Sequence, residues 1–338
     1  MVKQITLDIE GMSETALTDR QTDRQTALSL EQKVEQSKRT LRLAADMSQE
    51  YYKQPLIITY SGGKDSDVLL HLAEECLEPG QFEVLNSHTS VDAPETVYHI
   101  REVFKRLNEK GVKATVHYPK DENGKHETMW TLIPKKKMPP TRLARYCCQV
   151  LKETSTPNRI ACLGVREAES AGRKGRDVFG IRGGCYRQAI FFSLDHTEEV
   201  HREAKELNDP VWDCTLIKRM REHGDCVVNP IYDWSDLDIW DYIRQEHIDT
   251  NPLYKRGYTR VGCVGCPMAT YKQVIKEFND YPTFKNAYIN AFERMLEVRR
   301  SVGKVDNDRW KDGQAVFDWW IEKYKHSVKG QLSLFEDE

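Results

Sequence analysis

The run Ser61-Gly62-Gly63-Lys64-Asp65-Ser66 sets two hydroxyls, two glycines, a cation and a carboxylate side by side. Two glycines let a backbone turn tightly and come close to a ligand, and the first N–H groups of a helix that follows favour an anion in the turn. The chemistry implied is phosphate binding. Ser61 and Ser66 supply hydroxyl donors, Lys64 a mobile positive charge, and Asp65 a carboxylate able to hold Mg2+. The spacing differs from both the Walker loop and the dinucleotide-binding fingerprint.

A second set is built on sulfur. Cys263-x-x-Cys266 has glycines at 262 and 265, and two residues between thiolates allow both to turn onto one metal centre. Such a knuckle needs a second pair. The adjacent Cys147-Cys148 is the best donor, with Cys162, Cys185, Cys214 and Cys226 as further candidates. Four thiolates hold either zinc or an iron-sulfur cluster, and spacing alone does not choose between them.

These residues must be positioned by an alternating chain. Leu56–Tyr60 is apolar and β-branched, as a buried strand entering the glycine turn, and Val68–Ala73 leaves it with helical periodicity. Phe82–Ser87, Val112–Tyr118 and Ile160–Val165 predict further strands, and Pro94-Glu95-Thr96 starts a helix just after Asp92. Arg166 and the cationic Arg173-Lys174-Gly175-Arg176 follow the strand at 160–165. Ligand-type residues at strand carboxyl ends predict an α/β fold, a doubly wound parallel sheet with its site along one edge.

Residues 1–28 are polar, with a short strand expected near Ile5–Leu7. A helix is expected from Ser29, with Leu30, Val34, Ser37, Leu41 and Ala44 on one face, beside the strand at 56–60. Within 177–225 the pattern is weak, with a strand at 190–194 and a helix at 198–207 as expectations. Ser235 caps a helix containing Leu237, Ile239, Trp240 and Ile243. Two helical stretches, 272–302 and 307–327, form a helical cap in which Trp310, Phe317, Trp319 and Trp320 belong to the core. The expected division is thus 1–28, an α/β domain over 29–270, a cap over 271–328, and a disordered tail over 329–338.

The chain has 338 residues and a net charge of −3, so any nucleic-acid contact must come from a local patch. The run Lys135–Lys137 reads first as a solvated face. No apolar stretch reaches the roughly 20 residues that span a bilayer, so no membrane contact is expected. The first residues lack the apolar core of a signal peptide, and a cytoplasmic protein is expected. Nine cysteines in such a chain favour metal or redox chemistry over disulfides.

Ser61–Ser66 resembles the PP-loop of the ATP pyrophosphatases, S-G-G-x-D-S. The stretch Val91–Thr96 is similar to the D-x-x-x-P-E-T segment of the phosphoadenosine phosphosulfate (PAPS) reductase family, with a shorter spacing. Gly164-Val165-Arg166 with Glu169-Ser170 resembles its G-x-R-x-x-E-S segment. Pro230–Pro267 looks like its P-x-x-D-W region followed by N-P-L-Y-x-x-G-Y-x-R-x-G-C-x-x-C. The resemblance implies a HUP-like fold of the adenine nucleotide alpha hydrolase type. It also implies cleavage of ATP between the α and β phosphates, with Asp92 near the adenosine and Arg166 at the nucleotide or substrate anion. Cys147, Cys148, Cys263 and Cys266 resemble the 4Fe-4S ligands of the assimilatory adenylyl-sulfate reductases.

Those reductases carry an E-C-G-[LI]-H segment with the attacking Cys, whereas no Cys follows Cys266 here. An intact loop without that Cys looks more like the ATP-pyrophosphatase component of DNA phosphorothioation systems, or a cluster-containing tRNA thiolase. Expected cofactors are therefore ATP, Mg2+ and a 4Fe-4S cluster, with zinc as the alternative. Expected partners are a sulfur donor such as a cysteine desulfurase, and DNA. The alternatives are a sulfonucleotide reductase using an external thiol, and a non-catalytic nucleotide-sensing subunit. Gln331-Leu332-Ser333-Leu334-Phe335 resembles the peptide that binds the bacterial sliding clamp, against the reading that Leu332, Leu334 and Phe335 fold back onto the cap.

Overall fold

A computed structural model describes residues 28–153, 155–157, 159–169, 178–181, 226–303 and 309–325. The strand expected at 5–7, the strand and helix expected at 190–194 and 198–207, Arg173–Arg176, Cys185, Cys214 and the tail lie outside the described residues.

Helix α1 spans Leu30–Met47 and starts at Ser29, whose hydroxyl accepts from the Gln32 N–H while the Gln32 side chain accepts from the Ser29 N–H. This reciprocal box satisfies two of the donors a helix start leaves open. Its buried face, with Leu41, Ala44 and Ala45, packs on α2 (Lys64–Cys76). The expected helix is thus present, packed on α2.

Strands β1 (Leu56–Thr59), β2 (Phe82–Ser87), β3 (Ala114–His117), β4 (Ile160–Cys162), β5 (Phe179–Ile181) and β6 (Cys226–Val228) form one sheet in the order β3-β2-β1-β4-β6-β5. All pairings are parallel except β5 with β6. The α/β class holds, with one antiparallel edge strand added to the expected parallel sheet. Ile58 lies opposite Val84 on one side and Cys162 on the other, and Leu56–Ile58 are apolar because both faces of this central strand are covered. Helix α3 (Pro94–Glu109) links β2 to β3, with Pro94 in its first turn.

The strand order decides where a ligand can go. From β1 the chain builds outward through β2 and β3, then returns to place β4 on the other side of β1. The connections after β1 and β4 therefore diverge, opening a crevice at their carboxyl ends. Ser61–Ser66 and Arg166 lie at those two ends.

A second apolar cluster lies outside the sheet. Helices α4 (Met129–Lys136), α7 (Tyr271–Asp280), α8 (Pro282–Ser301) and α9 (Gly313–Lys325) pack Tyr288, Phe292, Met295, Phe317 and Trp320 together with Val91 and Val264. The stretch expected as one helix over 272–302 is broken at Tyr281, which has φ −128° and ψ 68°. Pro282 causes the break, since its ring excludes the preceding residue from helical geometry. Likewise α9 begins at Gly313, so Trp310 stands before the helix while still being buried. Among the described residues no helix is long and apolar enough to cross a membrane.

Candidate functional site

The loop after β1 has the form its residues dictate. Gly62 adopts φ +72°, and a Cβ there would stand 3.0 Å from Ile100 and 3.1 Å from Thr96. Glycine is needed both for the left-handed backbone and for the close approach. Gly63 caps α2, and the Ser66 hydroxyl donates to its carbonyl at 2.8 Å while accepting from the Gly63 N–H at 3.2 Å and the Ser61 N–H at 3.3 Å. The loop is thus closed on itself by Ser66, with the N-terminus of α2 beneath it.

Lys64 is not the open, mobile cation the sequence suggested. It is 6% exposed, and its Nζ donates to Asp65 Oδ1 at 3.0 Å and to Asp236 Oδ1 at 3.2 Å. Arg166, only 2% exposed, donates from Nε to Asp65 Oδ1 at 2.6 Å, from one terminal nitrogen to Asp236 Oδ1 at 2.8 Å, and from the other to the Trp234 carbonyl at 3.1 Å. Two cations and two carboxylates therefore interlock at the crevice. Partial burial raises the Asp236 pKa, but hydrogen bonds from Arg166 and Lys64 outweigh it and hold the carboxyl below its usual range.

Asp236 is the first residue of helix α6 (Asp236–Gln245), capped by Ser235. The Asp233-Trp234 stretch before it is fixed from α1. The Trp234 indole donates to Ser37 Oγ at 3.1 Å, and Lys33 Nζ donates to the Asp233 carbonyl at 3.0 Å and to Asp238 at 2.8 Å. Thus Arg166 receives its carbonyl partner from Trp234, whose own side chain is buried and hydrogen-bonded.

The Asn251–Arg256 turn closes the loop's other side. Asn251 is buried, and its amide donates to the Gly62 carbonyl at 2.9 Å and to Thr96 Oγ1 at 3.1 Å. Tyr254 Oη accepts from the Lys64 N–H at 2.9 Å. Burial raises the Tyr254 pKa, which keeps the phenol neutral. Behind the loop, Asp67 accepts from Tyr60 Oη at 2.5 Å and lies 3.2 Å from His99 Nε2, while its Oδ2 is buried without a hydrogen-bond partner. Burial raises its pKa.

The four expected cysteines converge. The thiols of Cys147 and Cys148 are adjacent and interact strongly, and Cys147 also feels Cys263 and Cys266. The Cys147 thiol, then Arg145 and Lys152, lowers Cys148 to about 5, whereas Cys147 is pushed up by its neighbour and by burial. Arg145 reaches Cys148 Sγ at 3.6 Å. Burial raises Cys263 to about 11, opposed by Lys152. Lys152 is in turn held charged by Cys263 first, then by Asp92, Cys148 and Cys266. All four cysteines are free thiols.

The cap holds the Cys263–Cys266 turn from below. The Gly265 N–H donates to Glu277 at 2.8 Å, its carbonyl accepts from Tyr324 Oη at 3.0 Å, and the Val264 carbonyl accepts from Tyr288 Oη at 3.0 Å. Arg142 donates to the Pro267 and Ala269 carbonyls at 3.1 and 3.2 Å, bringing the Cys147 segment to the same turn.

Asp92 is brought to this cysteine centre. It forms a β-bridge with Cys263, and its carboxylate accepts from Thr89 Oγ1 at 2.8 Å. Cys162 and Cys226 are buried within strands β4 and β6. Cys76 is half-buried against the main core, and burial raises it to about 11.

The donor set fits a sulfur-ligated centre: four thiols, backbone turns and nearby cations that favour thiolates. Among the described residues, the trio of metal-type donor atoms lying within 4.8 Å of one another is His71, Glu75 and Glu246. Four thiols of this kind suit either zinc or an iron-sulfur cluster. At His71, the cation is already supplied by protein, since Lys38 Nζ lies 3.1 Å from Glu75.

Sequence reasoning missed Asp236, Tyr254 and Asn251 as site residues. Each stands inside a stretch whose pattern was recognisable, Pro230–Ser235 leading into α6 and Asn251–Tyr254. What was missing was their long-range pairing with the loop.

The profile of the phosphoadenosine phosphosulfate reductase domain matches residues 55–269, and the chain belongs to that family. Relatives include an uncharacterized protein of Methanocaldococcus jannaschii, 23% identical over 78% of this chain and 46% of its own length. Sulfate adenylyltransferase subunit 2 of Methylorubrum extorquens is 28% identical over 59% of this chain and 58% of its own. The chain spans about half the length of the curated relatives it matches. Among solved structures it is similar to PAPS reductase from Candida auris, with a TM-score of 0.39, 14% identity, and 77% and 98% of the two chains covered. It is also similar to the U34-tRNA thiolase NcsA of Methanococcus maripaludis with its [4Fe-4S] cluster, with a TM-score of 0.38, 13% identity, and 83% of each chain covered.

Proposed function

We propose that this chain is a PP-loop ATP pyrophosphatase of the PAPS reductase family, which adenylylates a substrate oxygen and releases pyrophosphate so that sulfur can displace AMP. The observation that carries this reading is the closed Ser61–Ser66 loop at the start of α2, facing the Lys64, Asp65, Arg166 and Asp236 lattice.

In this reading the β and γ phosphates of ATP lie in the loop, taking the backbone N–H groups and helix dipole as fixed donors. The Tyr254 hydroxyl stands on the Lys64 N–H, where an incoming phosphate oxygen would exchange with it. Lys64 and Arg166 turn part of their charge from the carboxylates to the phosphates, Arg166 steadying the α phosphate or the substrate anion. Asp65 and Asp236 fit Mg2+, which takes one or two carboxylates alongside phosphates. Catalysis is then positioning and electrostatic stabilisation, with the protein fixed in advance by Trp234, Asn251 and Ser66. Asp92 contributes near the adenosine from its place beside Cys263.

Cys147, Cys148, Cys263 and Cys266 would hold a 4Fe-4S cluster. When bound, such a cluster supplies a site for ordering or relaying sulfur. Arg145 and Lys152 favour the Cys148 thiolate for it, and Lys152 opposes the effect of burial at Cys263. A cysteine desulfurase would act as sulfur donor, DNA phosphorothioation is the pathway that suits such a component, and the Gln331–Phe335 peptide would tether it to a sliding clamp in the cytoplasm. The cysteine set also favours a second reading, a sulfonucleotide reductase using an external thiol. Purified protein is assayed for pyrophosphate from ATP and for sulfite from adenylyl sulfate or PAPS. Pyrophosphate without sulfite supports the proposal; sulfite without pyrophosphate selects the reductase. ATP binding with neither product, even with sulfur donors and nucleic acid, selects a nucleotide-sensing subunit.

A further inference from the structure

Asp67, Glu127 and Glu277 are the carboxylates buried among the described residues. Asp67 lies 3.2 Å from His99 Nε2, and Glu127 pairs with Lys135. Glu277, on α7, has neutral partners instead. Its Oε2 accepts from the Gly265 N–H at 2.8 Å, and its Oε1 from the Gln273 side-chain amide at 2.8 Å. Among the described residues no Lys, Arg or His stands at ion-pair distance from it, and Arg260 acts only at longer range. Burial raises its pKa, and the Gly265 N–H, then Gln273 and Arg260, oppose the rise. Both oxygens accept a hydrogen bond, the pattern that favours an ionised carboxylate.

Glu277 holds a turn whose N–H groups are committed to oxygen. The Val264 N–H donates to the Val91 carbonyl at 2.7 Å, the Gly265 N–H to Glu277, and the Cys266 N–H to the Cys263 carbonyl at 3.2 Å. Pro267 has no N–H. None of these amides is therefore spent on a cysteine sulfur. An N–H that donates to sulfur draws charge from it and raises the reduction potential of an iron-sulfur centre, whereas added negative charge lowers that potential. Four thiolates already make such a centre anionic, so a carboxylate behind the turn disfavours a further electron. Holding the turn does not require that charge, since a neutral amide oxygen also accepts from an N–H.

We propose that Glu277 is a positioning residue acting through Gly265: it keeps the turn's amide off the sulfurs and sets a fixed negative charge behind them. The centre then has a lower reduction potential than its thiols and the cations Arg145 and Lys152 alone would give. A centre so held resists reduction and keeps charge on sulfur, which suits the ordering or relaying of sulfur proposed above. The proposal rests on the reading of Cys147, Cys148, Cys263 and Cys266 as iron-sulfur ligands.

The test is an anaerobic redox titration of the full chain with dithionite, followed by electron paramagnetic resonance, with iron and zinc counted per chain and no nucleotide present. Glu277→Gln keeps an acceptor for the Gly265 N–H and removes the charge. It should keep its iron and increase the ratio of reduced to oxidised centre at a fixed potential on the order of tenfold, a shift of about 59 mV for one electron. Gln273→Lys places a cation against the carboxylate and should shift the potential in the same direction with Glu277 intact, a readout that survives misfolding of the first variant. Glu322→Gln, at an exposed acid on α9, should change nothing. An unshifted potential in Glu277→Gln, a shift of equal size in Glu322→Gln, or zinc in place of iron would overturn the proposal. Loss of iron in Glu277→Gln with no shift in Gln273→Lys would leave Glu277 a structural role alone and would also overturn it. Since no ATP is present, failure here leaves pyrophosphate release standing, and failure of that release leaves the potentials readable.

Discussion

Gly265 tests the reasoning about the cysteine centre most directly. It sits between Cys263 and Cys266 at φ +70°, and a Cβ there would stand 2.7 Å from Phe278 Cζ, 3.1 Å from Trp320 and 3.2 Å from Tyr288. Gly265→Ala therefore imposes two costs. The left-handed backbone costs an alanine about 1–2 kcal/mol. Pushing three packed rings aside costs about 1–3 kcal/mol more, because the rings belong to the buried cap core and none is the end of a flexible chain. The sum is about 2–5 kcal/mol. With a urea slope on the order of 3 kcal/mol per M, the unfolding midpoint should fall by on the order of 1 M. Gly262→Ala is the control, since nothing lies within 4 Å of its added Cβ and its φ is unexceptional; it should stay within about 0.5 kcal/mol of wild type. Both variants are unfolded in urea and assayed for metal per chain. If Gly265→Ala unfolds with the wild-type midpoint and keeps its full metal content, the cap does not hold the turn in the way described.

Lys64→Ala and Asp65→Ala should each abolish pyrophosphate release from ATP, and Lys64→Ala should also cost about 1–3 kcal/mol of stability because its ammonium is buried and paired; unchanged turnover would remove the ATP-pyrophosphatase reading. Anaerobically purified protein should contain about four irons per chain, lost in Cys263→Ser and kept in Cys76→Ser, whereas zinc without iron would select a structural knuckle. Asp67 has a folded pKa raised by burial, so the folded state holds its proton more tightly than the unfolded one. Its contribution is full below about pH 4 and declines as pH rises through the folded value. Asp67→Asn should therefore raise the thermal midpoint near pH 7 and flatten its pH dependence; a lowered midpoint at pH 7 would contradict this. A peptide of residues 327–338 should bind a bacterial sliding clamp with micromolar affinity, about −8 kcal/mol, and lose it with Leu334→Ala plus Phe335→Ala; polarisation unmoved by those changes would return the segment to packing or disorder.

The glycine loop, the helix start at Ser29 and the Cys263-x-x-Cys266 knuckle were readable because their signals are local, whereas joining that knuckle to Cys147-Cys148 rested on the family resemblance. Each local signal depends on residues a few positions apart, where backbone geometry fixes what neighbours can do. The carboxylate lattice was not readable, since Lys64 meets Asp236 across 172 positions and Tyr254 meets Lys64 across 190. A hydrophilic Lys beside two glycines suggests solvent, and only the return of α6 to the crevice buries it. The break before Pro282 did have a local cause, the steric exclusion that proline imposes on Tyr281, and aromatic periodicity across 272–302 concealed it. β5 has three residues and an antiparallel pairing, too short for any alternation to register.

The two chemical centres are closer than the distance between their motifs in sequence suggests, because a single segment builds one wall of each. Asn251 and Tyr254 hold the Gly62 carbonyl and the Lys64 N–H. Farther along, the Val261 carbonyl would lie 3.8 Å from a Cβ on Gly63. Cys263, two residues later, bridges Asp92, and the Val264 N–H donates to the Val91 carbonyl at 2.7 Å. Two residues extend the chain by at most about 7 Å. The Ser61–Ser66 loop and Cys263 are therefore near neighbours, joined through Val261. The same continuity makes the sites interdependent: a change that loosens the Cys263–Cys266 turn pulls on Val261 and Tyr254, and through them on the N-terminus of α2.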